Sequence, residues 1–190
     1  MEWTESRAAD LLCGDEATFD QFVHDVWPEA FRISQLILGN RQDAQEVVQD
    51  ALMILYKNRS RVRDPAKLKS WFYQVLTRCA TRSRRHGIRR RTEPLPRSDI
   101  GSGQVDEAQT IDTRLTIMEA LDRLSINERL TLILSYYCDQ TDEKAAAIAG
   151  WHLGTYKWRK ARALRNMEKI LHGLMITHLT AQKEGAVHAR

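Results

Sequence analysis

Apolar residues recur at three- and four-residue steps along most of this 190-residue chain, and the recurrence breaks off once, between about residues 86 and 112. That period belongs to helices that bury one face. A strand needs alternation, and no stretch sustains alternation between hairpin turns. The interruption, "HGIRRRTEPLPRSDIGSGQVDEAQT", carries glycines, two prolines and many polar side chains, so it reads as a linker. The chain is therefore expected to be all-α. Two small helical modules, over 15–86 and 112–175, are joined by a flexible linker over 87–111.

Within the first module, Phe19, Phe22, Val23, Val26, Ala30, Ile33 and Ile37 mark a buried helical face over 15–38, and Pro28 predicts a kink or a break in it. Asn40 is placed to cap a second helix, with Asp43 in its first turn. Val47, Ala51, Ile54 and Leu55 form that helix's buried stripe, while Glu46, Gln49, Asp50 and Met53 lie off it. Asp64 followed by Pro65 signals a third start, after which Leu68, Phe72, Val75, Leu76 and Cys79 turn inward. In the second module, Ser125 and Glu128 have capping-box spacing, and Thr141 caps a helix that Gly150 ends. The tight "WHLG" turn then leads into a longer basic helix, which is helix-turn-helix spacing. Residues 1–14 receive no assignment, and 176–190 read as a frayed tail.

Charge is segregated along the chain. Residues 1–56 hold 3 basic and 11 acidic side chains, and 57–97 hold 14 and 2. Residues 98–151 hold 4 and 10, and 152–190 hold 8 and 2. Two acidic blocks, each followed by a basic one, suggest two modules that each turn one side toward a polyanion. No apolar run approaches the roughly 20 residues of a membrane helix, so no membrane insertion is expected. The acidic N-terminus does not read as a signal peptide. Cys13, Cys79 and Cys138 are an odd, widely spaced set, which points to buried thiols in a reducing cytoplasm. No metal-ligand spacing, phosphate loop or nucleophile motif is present, so neither a cofactor nor enzymatic activity is expected.

Two faces carry the chemistry. On the last long helix, Tyr156, Ala163, Met167, Ile170 and Leu171 point inward. Thr155, Trp158, Arg159, Arg162, Asn166 and Lys169 gather on the opposite side. Arginine can pair with guanine bidentately and asparagine with adenine, while lysine serves phosphates, so this face suits duplex DNA. On the third helix of the first module, Trp71, Gln74, Arg78, Arg82 and Arg85 share a face, with Phe72 in the core stripe. Positive charge with an aromatic at its margin suits a single strand, whose bases stack and whose phosphates need countercharge.

Four segments in order now resemble one family. "DAQEVVQDALMILY" (43–56), "LKSWFYQVLTR" (68–78), "LDRLSINERLTLILSYY" (121–137) and "GWHLGTYKWRKARALRNM" (150–167) are similar to the conserved helices of bacterial extracytoplasmic-function (ECF) sigma factors. The resemblance covers about 15–86, as region two, and 112–172, as region four. It implies a specificity subunit that binds core RNA polymerase and directs promoter recognition, melting and initiation. Asp43, Glu46, Gln49, Asp50 and Met53 would dock on the coiled coil of the beta-prime subunit. Arg61, Arg63, Lys67, Lys69, Trp71, Arg78, Arg82 and Arg85 would hold the melted minus-ten strand. Thr155, Lys157, Trp158, Arg159, Arg162, Asn166 and Lys169 would read the minus-thirty-five element as duplex. An anti-sigma protein is an implied partner. The chain departs from the family pattern in four places. Arg78 and Arg82 replace the frequent Asn and Asp, His152 replaces a serine cap, Lys160 stands where leucine often packs, and the alanines of "EKAAAIAG" predict a thinly packed helix-turn-helix. A stand-alone helix-turn-helix regulator, dimerising through its N-terminal module, is the alternative; the basic block of that module argues against it.

Overall fold

The computed structural model describes residues 4–87 and 107–187, with side chains placed for 4–83, 113 and 115–176. Among the described residues every regular element is helical. Helix α1 spans Glu5–Cys13, a segment the sequence reading left unassigned. Its signals are local. Thr4 caps it by accepting from the Arg7 amide at 3.5 Å, and only Ala8 and Leu11 are buried. Two buried positions are too few to register as a period.

Asp15 then accepts from the Thr18 amide at 2.8 Å and starts α2, Glu16–Leu38. This helix runs unbroken through Pro28, so the expected break does not occur. Proline removes one hydrogen bond, to the carbonyl four residues back at His24, and both residues are exposed to solvent. Asn40 caps α3, Arg41–Asn58, with its Oδ1 accepting from the Asp43 amide at 2.7 Å. The buried stripe of α3 is Ala44, Val47, Val48, Ala51, Leu52 and Leu55. Ile54, expected in that stripe, is 37 % exposed, because Leu55 already fills the inward position of that turn. Two short 3-10 turns, Arg59–Arg61 and Pro65–Lys67, lead to α4, Leu68–Gly87. Asp64 caps the second turn, accepting from the Ala66 amide at 3.1 Å. Phe22 of α2 meets Phe72 of α4 edge to face at 5.5 Å in the centre of the module. Burying one such side chain contributes about 1.5–3 kcal/mol.

Residues 88–106, most of the expected linker, lie outside the described residues. Helix α5, Glu107–Arg123, begins within the stretch read as linker. Ser125 and Glu128 close a reciprocal capping box at the start of α6, Ile126–Leu132, which loosens into a π-turn over Ile133–Tyr137. Thr141 caps α7, Asp142–Ala149. Helix α8, Leu153–Val187, is continuous for 35 residues, so the backbone of the segment read as a frayed tail is helical as far as Val187.

The two modules pack against each other. Leu36, Ile37, Phe72 and Leu76 of the first share one apolar cluster with Leu130, Ile133, Ala145 and Ile148 of the second. The cysteines differ from expectation. Cys13 ends α1 in an exposed position, while Cys79 and Cys138 are half-buried and all three thiols are free. Burial, aided by the charge of Glu29, pushes the Cys138 thiol up to about 11.

Candidate nucleic-acid interface

The outer face of α8 is fixed from beneath by Tyr156, which is fully buried. Its hydroxyl donates to the Thr131 carbonyl at 3.1 Å and lies 2.8 Å from the Ser135 hydroxyl, which is left to donate to it. Helix α8 is thereby pinned to α6 and to the π-turn. Gly150 closes α7 with φ +70, a left-handed conformation that favours glycine, and the turn to α8 follows. Thr155, Lys157, Trp158, Arg162 and Lys169 are exposed on the outer side, Trp158 to 57 %. Arg159 is half-buried with its guanidinium 4.0 Å from the centre of the Trp151 ring. Arg162 lies 5.4 Å from the centre of the Trp158 ring and 3.3 Å from Glu128. Stacked guanidiniums retain donors for base edges or phosphates and lose less entropy on binding.

Asn166 is used differently. Its amide donates to Glu128 Oε1 at 2.6 Å, so inside the free chain it serves the capping box of α6. Burial pushes the Glu128 carboxyl up. The Ser125 hydroxyl and amide, the Asn166 amide and the Arg162 charge outweigh that and hold it below its ordinary value. Lys160, in place of a packing leucine, bonds Asp142 at 2.8 Å, and that bond raises its pKa. The expected thin packing of the helix-turn-helix takes a specific form. Ala145, Ala146 and Ile148 are all buried, and α7 packs against α4 of the first module as well as against α8.

On α4 the aromatic triplet divides. Phe72 is fully buried and Tyr73 is 8 % exposed, while Trp71 is half-buried at the margin. The Tyr73 hydroxyl donates to Glu29 at 2.5 Å, and Lys69 lies 3.4 Å from the same carboxylate. Burial, then the Glu29 bond, raises the Tyr73 hydroxyl far above its usual range. Arg78 and Arg82 are exposed and Gln74 is half-buried beside them. The side chain of Arg85 lies outside the described residues. Arg61, Arg63 and Lys67 project from the preceding loop, with Lys67 paired to Asp64 at 3.1 Å. Helix α1 supports this loop, packing against both 3-10 turns. Arg59, 4.4 Å over the Tyr56 ring, reaches toward the end of α1. That support was missed, although Thr4 and Gly14 flank a nine-residue segment with helix start and stop signals.

The third surface lies on α3. Glu46, Gln49, Asp50 and Met53 are exposed, Met53 to 53 %, whereas Asp43 is half-buried and accepts from the Asn40 amide at 2.5 Å. Ile54 and Tyr56 are exposed on the same helix. Periodicity placed Ile54 inside, so nothing in the pattern marked it as surface. Among the described residues no group of histidines, cysteines and carboxylates could hold a metal ion, and no helix is long and apolar enough to cross a membrane.

The family model for Sigma-70 region 2 matches residues 18–91, which include α2, α3 and α4. The RNA polymerase sigma factor SigV of Bacillus subtilis (strain 168) is 30 % identical over 138 residues, 72 % of this chain and 81 % of that protein. The ECF RNA polymerase sigma factor SigM of Mycobacterium tuberculosis is 25 % identical over 171 residues, 88 % of this chain and 86 % of its own length. Among solved structures, the sigma factor RpoE bound to the anti-sigma factor NepR from Bartonella quintana superposes with a TM-score of 0.63 at 23 % identity, over 81 % of this chain and 96 % of that one. CnrH in complex with the cytosolic domain of CnrY gives 0.65 at 17 % identity, over 89 % and 97 %.

Proposed function

The chain belongs to the extracytoplasmic-function RNA polymerase sigma factors, and we propose that three of its surfaces divide the work of such a factor. The exposed acidic and apolar side of α3, with Glu46, Gln49, Asp50 and Met53, docks on the beta-prime coiled coil of core polymerase. Asp43 shapes the start of that helix. The loop bearing Arg61, Arg63 and Lys67, together with Lys69, Trp71, Arg78, Arg82 and Arg85 of α4, holds the melted minus-ten strand. Thr155, Lys157, Trp158, Arg159, Arg162 and Lys169 meet the minus-thirty-five duplex, with Asn166 bracing Arg162 through Glu128.

The observation that carries the reading is the build of α8. Two arginines stacked on two tryptophans, around an otherwise exposed basic face, are seated on a helix-turn-helix. Pre-positioned cationic donors on a helix that can enter a major groove are what direct readout requires. The work takes place in the cytoplasm, and an anti-sigma protein is a partner, as it is for RpoE in the solved complex.

The test is co-elution of the purified chain with sigma-free core polymerase, followed by opening of promoter fragments. A stoichiometric complex that opens promoters is expected. Tight duplex binding by the chain alone, with no binding to core, would overturn the reading.

A further inference from the structure

Trp158 stands apart from the other described tryptophans. Trp27, Trp71 and Trp151 are each half-buried and packed on the apolar cluster, whereas Trp158 is 57 % exposed on the outer side of α8. A single exposed apolar side chain is ordinary on a protein surface. What distinguishes this one is that the fold holds it in place.

The support begins on α6. Glu128 accepts from the Ser125 hydroxyl at 2.6 Å and from the Asn166 amide at 2.6 Å, and its side chain is only 10 % exposed. The same carboxylate faces Arg162 Nε at 3.3 Å, and the Arg162 guanidinium lies 5.4 Å from the centre of the Trp158 ring. Trp158 and Arg162 are four residues apart, so they are neighbours on one helix face. A carboxylate anchored in the capping box thus holds the arginine, and the arginine holds the indole. Four positions toward the helix start stands Gly154, so no side chain there screens the ring. An aromatic side chain has two torsions to fix, and one already held loses little entropy when it is covered.

The chemistry of the groove then narrows what such a ring can select. Base edges in the major groove present hydrogen-bond donors and acceptors and one apolar group, the 5-methyl of thymine. The indole N–H lies on the ring's edge, so the ring face itself offers no hydrogen bond. An indole face turned to the groove gains most where it covers that methyl group, and it would strip water from polar atoms at any other base.

We propose that Trp158 is a specificity-determining residue of the duplex contact, its ring packing on the 5-methyl group of one thymine in the minus-thirty-five element and so selecting a T·A pair there. That selection rests on the minus-thirty-five contact proposed above for α8. It divides the labour along this face. The charged side chains supply affinity and polar readout, and Trp158 supplies the one apolar discrimination.

The test uses holoenzyme assembled from the full chain and core polymerase, with its preferred upstream element selected from a pool of randomised duplexes. Each thymine of that element, on either strand, is replaced in turn by deoxyuridine, which removes the methyl group and keeps every hydrogen bond. At one position the wild type should lose about fourfold in affinity, the worth of one methyl group taken out of water. Trp158→Ala should bind the thymine and deoxyuridine duplexes alike at that position. The ratio is taken within one protein preparation, so any misfolded fraction of the variant cancels. A selected element without thymine, equal binding of both duplexes by the wild type at every position, or a thymine preference that survives in Trp158→Ala would overturn the selection. Failure to bind core, or to favour any upstream element, would overturn the proposed function and the selection with it.

Discussion

Arg129 donates to the carbonyl of Ile37 across 3.1 Å although the two residues are 92 positions apart in sequence, and its side chain is wholly shielded from water. Its carboxylate partner Asp122 remains 39 % exposed. The two ends of this pair therefore differ in what they contribute. Arg129→Met keeps most of the volume but removes the bond that Arg129 gives to a helix-end carbonyl, and should cost about 1–3 kcal/mol in denaturant unfolding. Asp122→Asn should cost less than about 1 kcal/mol, because an exposed carboxylate is screened and rehydrated. Equal losses would mean that the ion pair, and not the carbonyl contact, carries the junction.

Glu128 links stability to pH. Its folded pKa lies below the ordinary 4.5, because the bonds from Ser125 and Asn166 and the nearby Arg162 outweigh its burial. A carboxyl with a lowered folded pKa stabilises the fold fully above the unfolded value, and that contribution is lost as pH falls through the folded one. The thermal midpoint should thus hold from neutral pH to about 5 and fall below that. Glu128→Gln should melt lower at pH 7 and converge on the wild type near pH 3, a difference that midpoints measured across the range will show.

Helices whose apolar positions repeat over several turns were legible in the sequence, together with their caps at Asn40, Asp64, Ser125 and Thr141. What escaped was set by tertiary contact. Helix α1 buries two residues and so left no period. Ile54 obeys the helical period yet faces outward, since Leu55 occupies the inward place. Asn166 has the spacing of a base-reading amide, and only the folded module shows Glu128 within 2.6 Å of it. The packing of α7 on α4 was foreshadowed by its alanines, but small residues do not say which neighbour they admit.

The α3 surface gives a separable test. Glu46, Asp50 and Met53 are exposed, so replacing them should leave stability within about 0.5 kcal/mol. Glu46→Lys and Asp50→Lys together should weaken binding to core polymerase at least tenfold, measured by competition against the unmodified chain. Retained affinity would move the docking surface elsewhere on the molecule.

The DNA contact proposed for the outer face of α8 makes a sharper distinction, because its residues do different physical work. Lys169 is exposed, with a flexible point charge suited to phosphate. Lys169→Ala should weaken minus-thirty-five binding uniformly across sequences and reduce the slope of log affinity against log salt by about 1. Arg159 is held against Trp151, and a fixed guanidinium can select a base. Arg159→Ala should relax preference at one position by about 1–3 kcal/mol, read from a panel of single-substitution duplexes. Asn166→Ala removes a donor from Glu128, so it should lower the melting temperature and leave the ranking of sequences unchanged. A selective loss of one base preference in that variant would show that the amide leaves Glu128 for the DNA on binding, and that the capping box is only its resting place.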